Sequence, residues 1–188
     1  MKAATAAIIL TLMGPTLSYG KAVPVTSLDH ESYSGRWFQM HTTKYALKSY
    51  EKHGQCITSD IYVNKSDTTM TVLNTQTVNS TEAPFFRVSG TIYSTAAPGK
   101  FNVVFPPASW VDHTIVALGP RDSSGHYAYS IGTNHRETDL FVLVRDFSNW
   151  DEPAILSLIG QYGLPPPVEI VQGGECSYAP FINRTNEE

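Results

Sequence analysis

From Trp37 to Arg145 apolar and polar residues alternate in short runs separated by turn-forming segments, the pattern of strands with one buried face. Eight strands are predicted: Trp37–Thr42, Gln55–Val63, Thr69–Val78, Phe85–Ser94, Lys100–Phe105, His113–Leu118, His126–Gly132 and Asp139–Arg145. Asn64-Lys65-Ser66-Asp67, Asn79 to Pro84, Ala97-Pro98-Gly99, Pro106-Pro107, Gly119 to Gly125 and Thr133 to Thr138 punctuate them. Only the first connection, Thr43–Gly54, is long; it is polar but holds Tyr45, Leu47 and Tyr50. The period then changes. Ile155, Leu158, Ile159 and Tyr162 recur at helical spacing, with Ser148 or Asp151 as cap and Pro153 in the first turn. Gly163 suits the end of that helix and Pro165-Pro166-Pro167 stop it. A helix this short does not stand alone, so it is expected to pack on a sheet.

Eight strands with short connections predict an all-β fold, an eight-stranded antiparallel up-and-down barrel with one C-terminal helix on its wall. Closure removes every free edge, and eight strands enclose room for side chains or one small ligand. A two-sheet sandwich would need long crossovers, and none is visible.

Length and composition fit one packed domain: 188 residues, 41% hydrophobic and 16% charged. Residues 1–20 read as a signal peptide. Lys2 is its basic start, Ala3 to Met13 its apolar run, and Ser18-Tyr19-Gly20 a small-residue cleavage site. The expected mature chain is then a single domain, 21–188, secreted to the extracellular space. No transmembrane segment is expected, because the apolar run is too short and no later one is longer. The net charge is −4, and removing residues 1–20 takes away only Lys2, so the mature surface is more acidic still. Nucleic acid is an unsuitable partner for it. Two cysteines, Cys56 and Cys176, in an oxidising compartment favour one disulfide, closing a loop of about 120 residues; two free thiols are the alternative. Asn64, Asn79 and Asn183 head glycosylation tripeptides, the first two in predicted turns and the third in the tail.

Several stretches resemble the lipocalins, and most closely the apolipoprotein D group. They are Gly35-Arg36-Trp37 opening the first strand, Arg145 closing the last, His53-Gly54-Gln55-Cys56-Ile57, Val72-Leu73-Asn74, Tyr127-Ala128, and the tail Val171-Gln172-Gly173-Gly174-Glu175-Cys176. The similarity spans about residues 31–178. It implies that Trp37 and Arg145 stack across the closed end of the barrel, with Gly35 beside them, and that the tail bridges back to the second strand. The chain departs from the group in three places. A longer loop, Gly119–Gly125, replaces a Thr-Asp-Tyr turn; a second disulfide is absent; Lys44 to Lys52 has no close match.

With Trp37 and Arg145 inside, the two-residue period of a strand sorts the remaining positions. Phe141 and Leu143 point inward, Phe141 nearer the mouth. With Cys56 outward, Ile57, Ser59, Ile61 and Val63 face in. Met70, Val72, Asn74 and Gln76 share an inner face, as do Phe86, Val88, Gly90 and Ile92. Phe101, Val103 and Phe105 follow, then His113, Ile115 and Ala117, and finally Tyr127 and Tyr129. The expected ligand contacts are Ile61, Asn74, Val88, Phe101, Phe105, His113, Tyr129 and Phe141. Such an apolar lining with few polar groups suits a small hydrophobic molecule of the lipid, retinoid, steroid, bilin or carotenoid class.

No catalytic residue, metal site or cofactor is expected. The histidines lack metal-ligand spacing and no Gly-x-Ser-x-Gly elbow occurs. A lipocalin-type isomerase would need a free barrel thiol. The competing reading is a secreted interaction, defence or signalling module acting through its loops, with Tyr45, Tyr50 and Trp110 as exposed candidates. The pattern leaves a surface receptor and self-association open.

Overall fold

Strand β1 (Gly35–Thr42) is the seam of the molecule, because it pairs antiparallel with both β2 (Gly54–Val63) and β8 (Phe141–Val144). Between them run β3 (Met70–Val78), β4 (Phe86–Ser94), β5 (Lys100–Phe105), β6 (Ser109–Leu118) and β7 (Tyr129–Thr133), each antiparallel to the next. The eight strands therefore close on themselves. Across the seam Arg36 Nε and Nη2 donate to Asp60 Oδ1 and Oδ2, each at 2.7 Å. These relationships come from a computed structural model that describes residues 22–107 and 109–182. The expected signal peptide lies outside the described residues, and so does Asn183.

The alternation along the strands builds two cores. Trp37, Ile61, Met70, Val72, Phe101 and Leu143 point into the barrel, joined by Tyr33 and Tyr127. Met40, Val116, Ile131, Val142 and Val144 point outward and meet Ile155 and Ile159 of helix α3 (Glu152–Gln161). Of the two candidate caps Asp151 serves, its Oδ1 accepting from Ala154 N at 3.0 Å. The Ser148 hydroxyl instead donates to Asp146. Beyond α3, a short strand β9 (Val168–Glu169) adds to β1. The tail then crosses β2, where Cys176 and Cys56 form a disulfide.

Four local features differ from the alternation pattern. Strand β6 starts at Ser109 rather than His113. A tight hairpin pairs Phe105 with Ser109 and Val103 with Val111, so the stretch holding Trp110 is ladder and not loop. Strand β7 starts at Tyr129 rather than His126, with only an Arg121–Tyr127 bridge upstream. A bulge between Ile115 and Ala117 reverses the phase of β6. Ala117, expected inside, consequently sits in the outer core beside Val116. Finally, the lead-in and the long first connection each form one short helix, α1 (His30–Tyr33) and α2 (Lys44–Lys48). Asp29 Oδ1 caps the first from Ser32 N, and Thr43 Oγ1 caps the second from Ala46 N. One helical turn is too short to leave a readable period.

Candidate ligand cavity

The closed end is assembled from groups far apart in the chain. Trp37 is fully buried, and its Nε1 donates to Tyr33 O at 2.9 Å. Arg145 lies over it, the guanidinium carbon 3.6 Å from the ring centroid. Arg145 Nη1 donates to Arg36 O, and Nη2 to the carbonyls of Tyr33 and Ser34 that end α1. Burial lowers its pKa to about 10, so it stays charged at neutral pH. Gly35 has φ +93°, and a Cβ there would stand 3.1 Å from Arg145 Nη1. A side chain at this position would be strained in its backbone and crowded by the guanidinium.

Above this floor lies a cavity of about 570 Å³. Ile61, Val72, Val103 and Leu143 form its lower wall, with Ile57, Val88, Phe105, Val111 and Phe141 among those above. Polar groups are sparse. Ser59 Oγ donates to Asn74 Oδ1 at 2.8 Å, so that pair largely satisfies itself. His113 seats its ring against Phe141, with centroids 5.3 Å apart. A Cβ on Gly132 would stand only 2.5 Å from His113 Cε1, so only glycine leaves the imidazole its place. Burial lowers the His113 pKa to about 4, so the imidazole is neutral at physiological pH. A second pocket of about 170 Å³ lies between β5, β6 and the turn after β7, rimmed by Lys100, Asn102, Asp112 and His135. It is smaller, and charged and polar side chains rim it.

The mouth is shaped by the connection after α2. Tyr50, Glu51 and Lys52 join the lining. Gln39 Nε2 donates to Glu51 Oε1 and Gln76 Nε2 donates to Glu51 O, both at 2.7 Å. The Tyr50 phenol lies close enough to the Asp139 carboxyl, in the β7–β8 turn, to act on its charge. The connection is thus hydrogen-bonded to β1 and β3 and lies near the β7–β8 turn.

Solved structures with this barrel include insecticyanin from the tobacco hornworm Manduca sexta: TM-score 0.62, 14% identity, 83% of this chain and 87% of that one covered. Apocrustacyanin C2 gives a TM-score of 0.58 at 14% identity, covering 79% and 82%. Lobster apocrustacyanin A1 gives 0.54 at 14% identity, covering 78% and 81%. The fold is that of the lipocalins. No family model matches the chain, and no curated protein matches it. Identities this low carry the lipocalin fold alone.

Within this lipocalin barrel Ile61, Asn74, Val88, Phe101, Phe105, His113 and Phe141 all line the cavity. Tyr129 does not. It packs in the outer core beside α3 because β7 only begins there, and Ser130 and Gly132 take the inner face. Tyr127, outside the regular strand, belongs to the inner core. Gln39, Tyr50, Glu51, Lys52 and Val111 line the cavity without having been expected. All but Gln39 and Val111 come from the long first connection, where Tyr50 was read as an exposed aromatic and Glu51 and Lys52 only as polar loop. Val111 came from the mistaken loop.

The tail is held by more than its disulfide. Cys56 sits at a bulge with φ +54° and accepts no inward role. Its amide donates to Val171 O, and Gln172 Nε2 donates to both Gln39 O and Ile57 O. No free cysteine remains, so the thiol that isomerase chemistry would require is absent. Among the described residues no cluster of three or more His, Cys, Asp or Glu could hold a metal ion, and no helix is long and apolar enough to cross a membrane. Asn79 is exposed with φ +64° in the β3–β4 turn. The Asn64 amide is already engaged, donating to Thr69 Oγ1 at 2.6 Å.

Proposed function

We propose that the chain is a secreted lipocalin of the apolipoprotein D kind that carries one small apolar molecule inside its barrel. The observation that carries this reading is the 570 Å³ cavity, walled by apolar side chains over a sealed floor. Pockets of roughly 300–1,000 Å³ with few polar groups are the usual form of small-molecule sites. Driving force comes from apolar burial, at about 25 cal/mol per Å² before the costs of association. Lipids, retinoids, steroids, bilins and carotenoids are the candidate classes. Supporting the group assignment are Gly35-x-Trp37, Arg145, the segment around Cys56 and its bridge to the tail.

The test is a titration of native protein with members of those classes, followed by tryptophan fluorescence, together with mass spectrometry of whatever co-purifies. At least one class should bind in the micromolar range or tighter, and Val88→Trp, which fills the cavity, should abolish binding without loss of fold. If no class binds tighter than about 100 μM, or about −5.5 kcal/mol, the carrier reading is wrong.

A further inference from the structure

We infer that the molecule carried in the barrel bears an uncharged oxygen, a hydroxyl or a carbonyl, and that the imidazole of His113 receives it inside the cavity. This rests on the carrier reading and narrows it to a class of ligand.

His113 stands well inside the barrel. In the β5–β6 ladder it is the partner of Phe101, whose ring lies 6.5 Å from that of Tyr33 at the floor. Phe141 packs against the imidazole. Gly132 backs it on β7, and the lack of a side chain there gives the ring its place. No described residue hydrogen-bonds either ring nitrogen. Neither nitrogen is sealed within the wall, however. The ring is half-buried, and its open surface lines the cavity. Asp112, next in sequence, lies on the other face of β6 and pairs there with His135.

Other polar side chains of the wall already hold hydrogen bonds. Ser59 donates to Asn74, and the Gln39 and Gln76 amides donate to Glu51. His113 keeps both of its hydrogen-bonding positions for whatever enters. A wholly apolar molecule filling the cavity would take water from the imidazole and leave it unpaired, which is costly in apolar surroundings. An oxygen on the ligand replaces that water. A hydroxyl both donates to and accepts from a neutral imidazole, and a carbonyl accepts from its N–H. Charged heads fit worse. An ammonium would be buried against a single neutral acceptor. A carboxylate would find a counter-charge only if the ring took up a proton, and burial holds its pKa at about 4.

Decanol and 1-fluorodecane share one chain and nearly one shape, and only the alcohol hydrogen-bonds well. Titration of the native protein and of His113→Phe, followed by tryptophan fluorescence, gives the alcohol-to-fluoride affinity ratio in each. The ratio should fall by about threefold to tenfold in His113→Phe, the usual worth of one neutral hydrogen bond. Decanoate, its head left in water at the mouth, should lose nothing relative to fluorodecane. In the native complex with decanol, NMR should place the carbinol methylene beside the His113 Cε1 proton. An unchanged ratio, a loss for decanoate as large as that for decanol, or a carbinol with no contact to His113 overturns the inference. If His113→Phe fails to fold, the contact seen in the native complex decides. Binding at a ratio that His113→Phe leaves unchanged keeps the carrier reading standing and removes this one; binding of none of the three removes both.

Discussion

Arg145 and Trp37, separated by almost the whole barrel in sequence, stack at 3.6 Å. The same guanidinium takes carbonyls of Tyr33, Ser34 and Arg36. One side chain thus ties the end of β8 to the start of β1 and to α1 beneath them. Loss of the stack costs about 0.5–2 kcal/mol, and each charge-assisted hydrogen bond contributes about 1.5–3 kcal/mol.

Arg145→Ala should therefore lower stability by on the order of 3 kcal/mol, seen as a fall in the urea midpoint at unchanged slope. Arg145→Lys should recover only part, since a single ammonium cannot reach the same set of carbonyls. The ligand site lies above the floor, so affinity measured well below the midpoint should change little. Equal midpoints for wild type and Arg145→Ala would contradict the role assigned to the stack.

Glu51 makes its own prediction for stability. Its pKa is raised by burial in the folded chain, so the folded state holds that proton more tightly than the unfolded one. The resulting penalty is present at neutral pH and above, and disappears as pH falls through the folded pKa to the ordinary glutamate value. Glu51→Gln should thus melt higher than wild type at pH 8, with the difference closing by pH 4. A constant gap across that range would show that Glu51 ionisation is not what costs stability.

His113 acts in the opposite sense. Its pKa is about 4 in the folded chain and about 6.5 when unfolded. Between those values the unfolded chain takes up a proton that the folded chain refuses, so stability is lost as pH falls from about 6.5 toward 4. The loss from this one group is on the order of 2–3 kcal/mol. His113→Phe should flatten that part of the pH–stability curve, and NMR of the native imidazole should show no protonation above pH 5. Titration near 6.5 would refute the buried, neutral assignment.

The Cys56–Cys176 disulfide spans 120 residues of sequence. Paired Cys56→Ser and Cys176→Ser substitutions should lower stability by about 2–4 kcal/mol. Gln172 still bridges Gln39 and Ile57 through its amide, so the tail should remain docked. Hydrogen exchange at the Cys56 amide, which donates to Val171 O, would detect its release.

The barrel itself was legible in the chain. Period-two alternation, turn residues and the switch to helical spacing at Ile155 fix which residues form strands, and through them the inner set from Ile57 to Phe105. Alternation is a local consequence of the pleat, so it survives wherever pairing is regular. It fails at bulges, which add one residue and reverse the phase, and Ala117 was misplaced for that reason. It fails likewise where a strand begins, which pairing partners decide; Tyr129 and the stretch around Trp110 are the cases. The mouth was decided by tertiary structure alone. In the sequence Glu51 is one acidic residue in a polar connection. Only the fold of that connection back over β1 and β3 removes it from water, sets Gln39 on one carboxyl oxygen and buries the other.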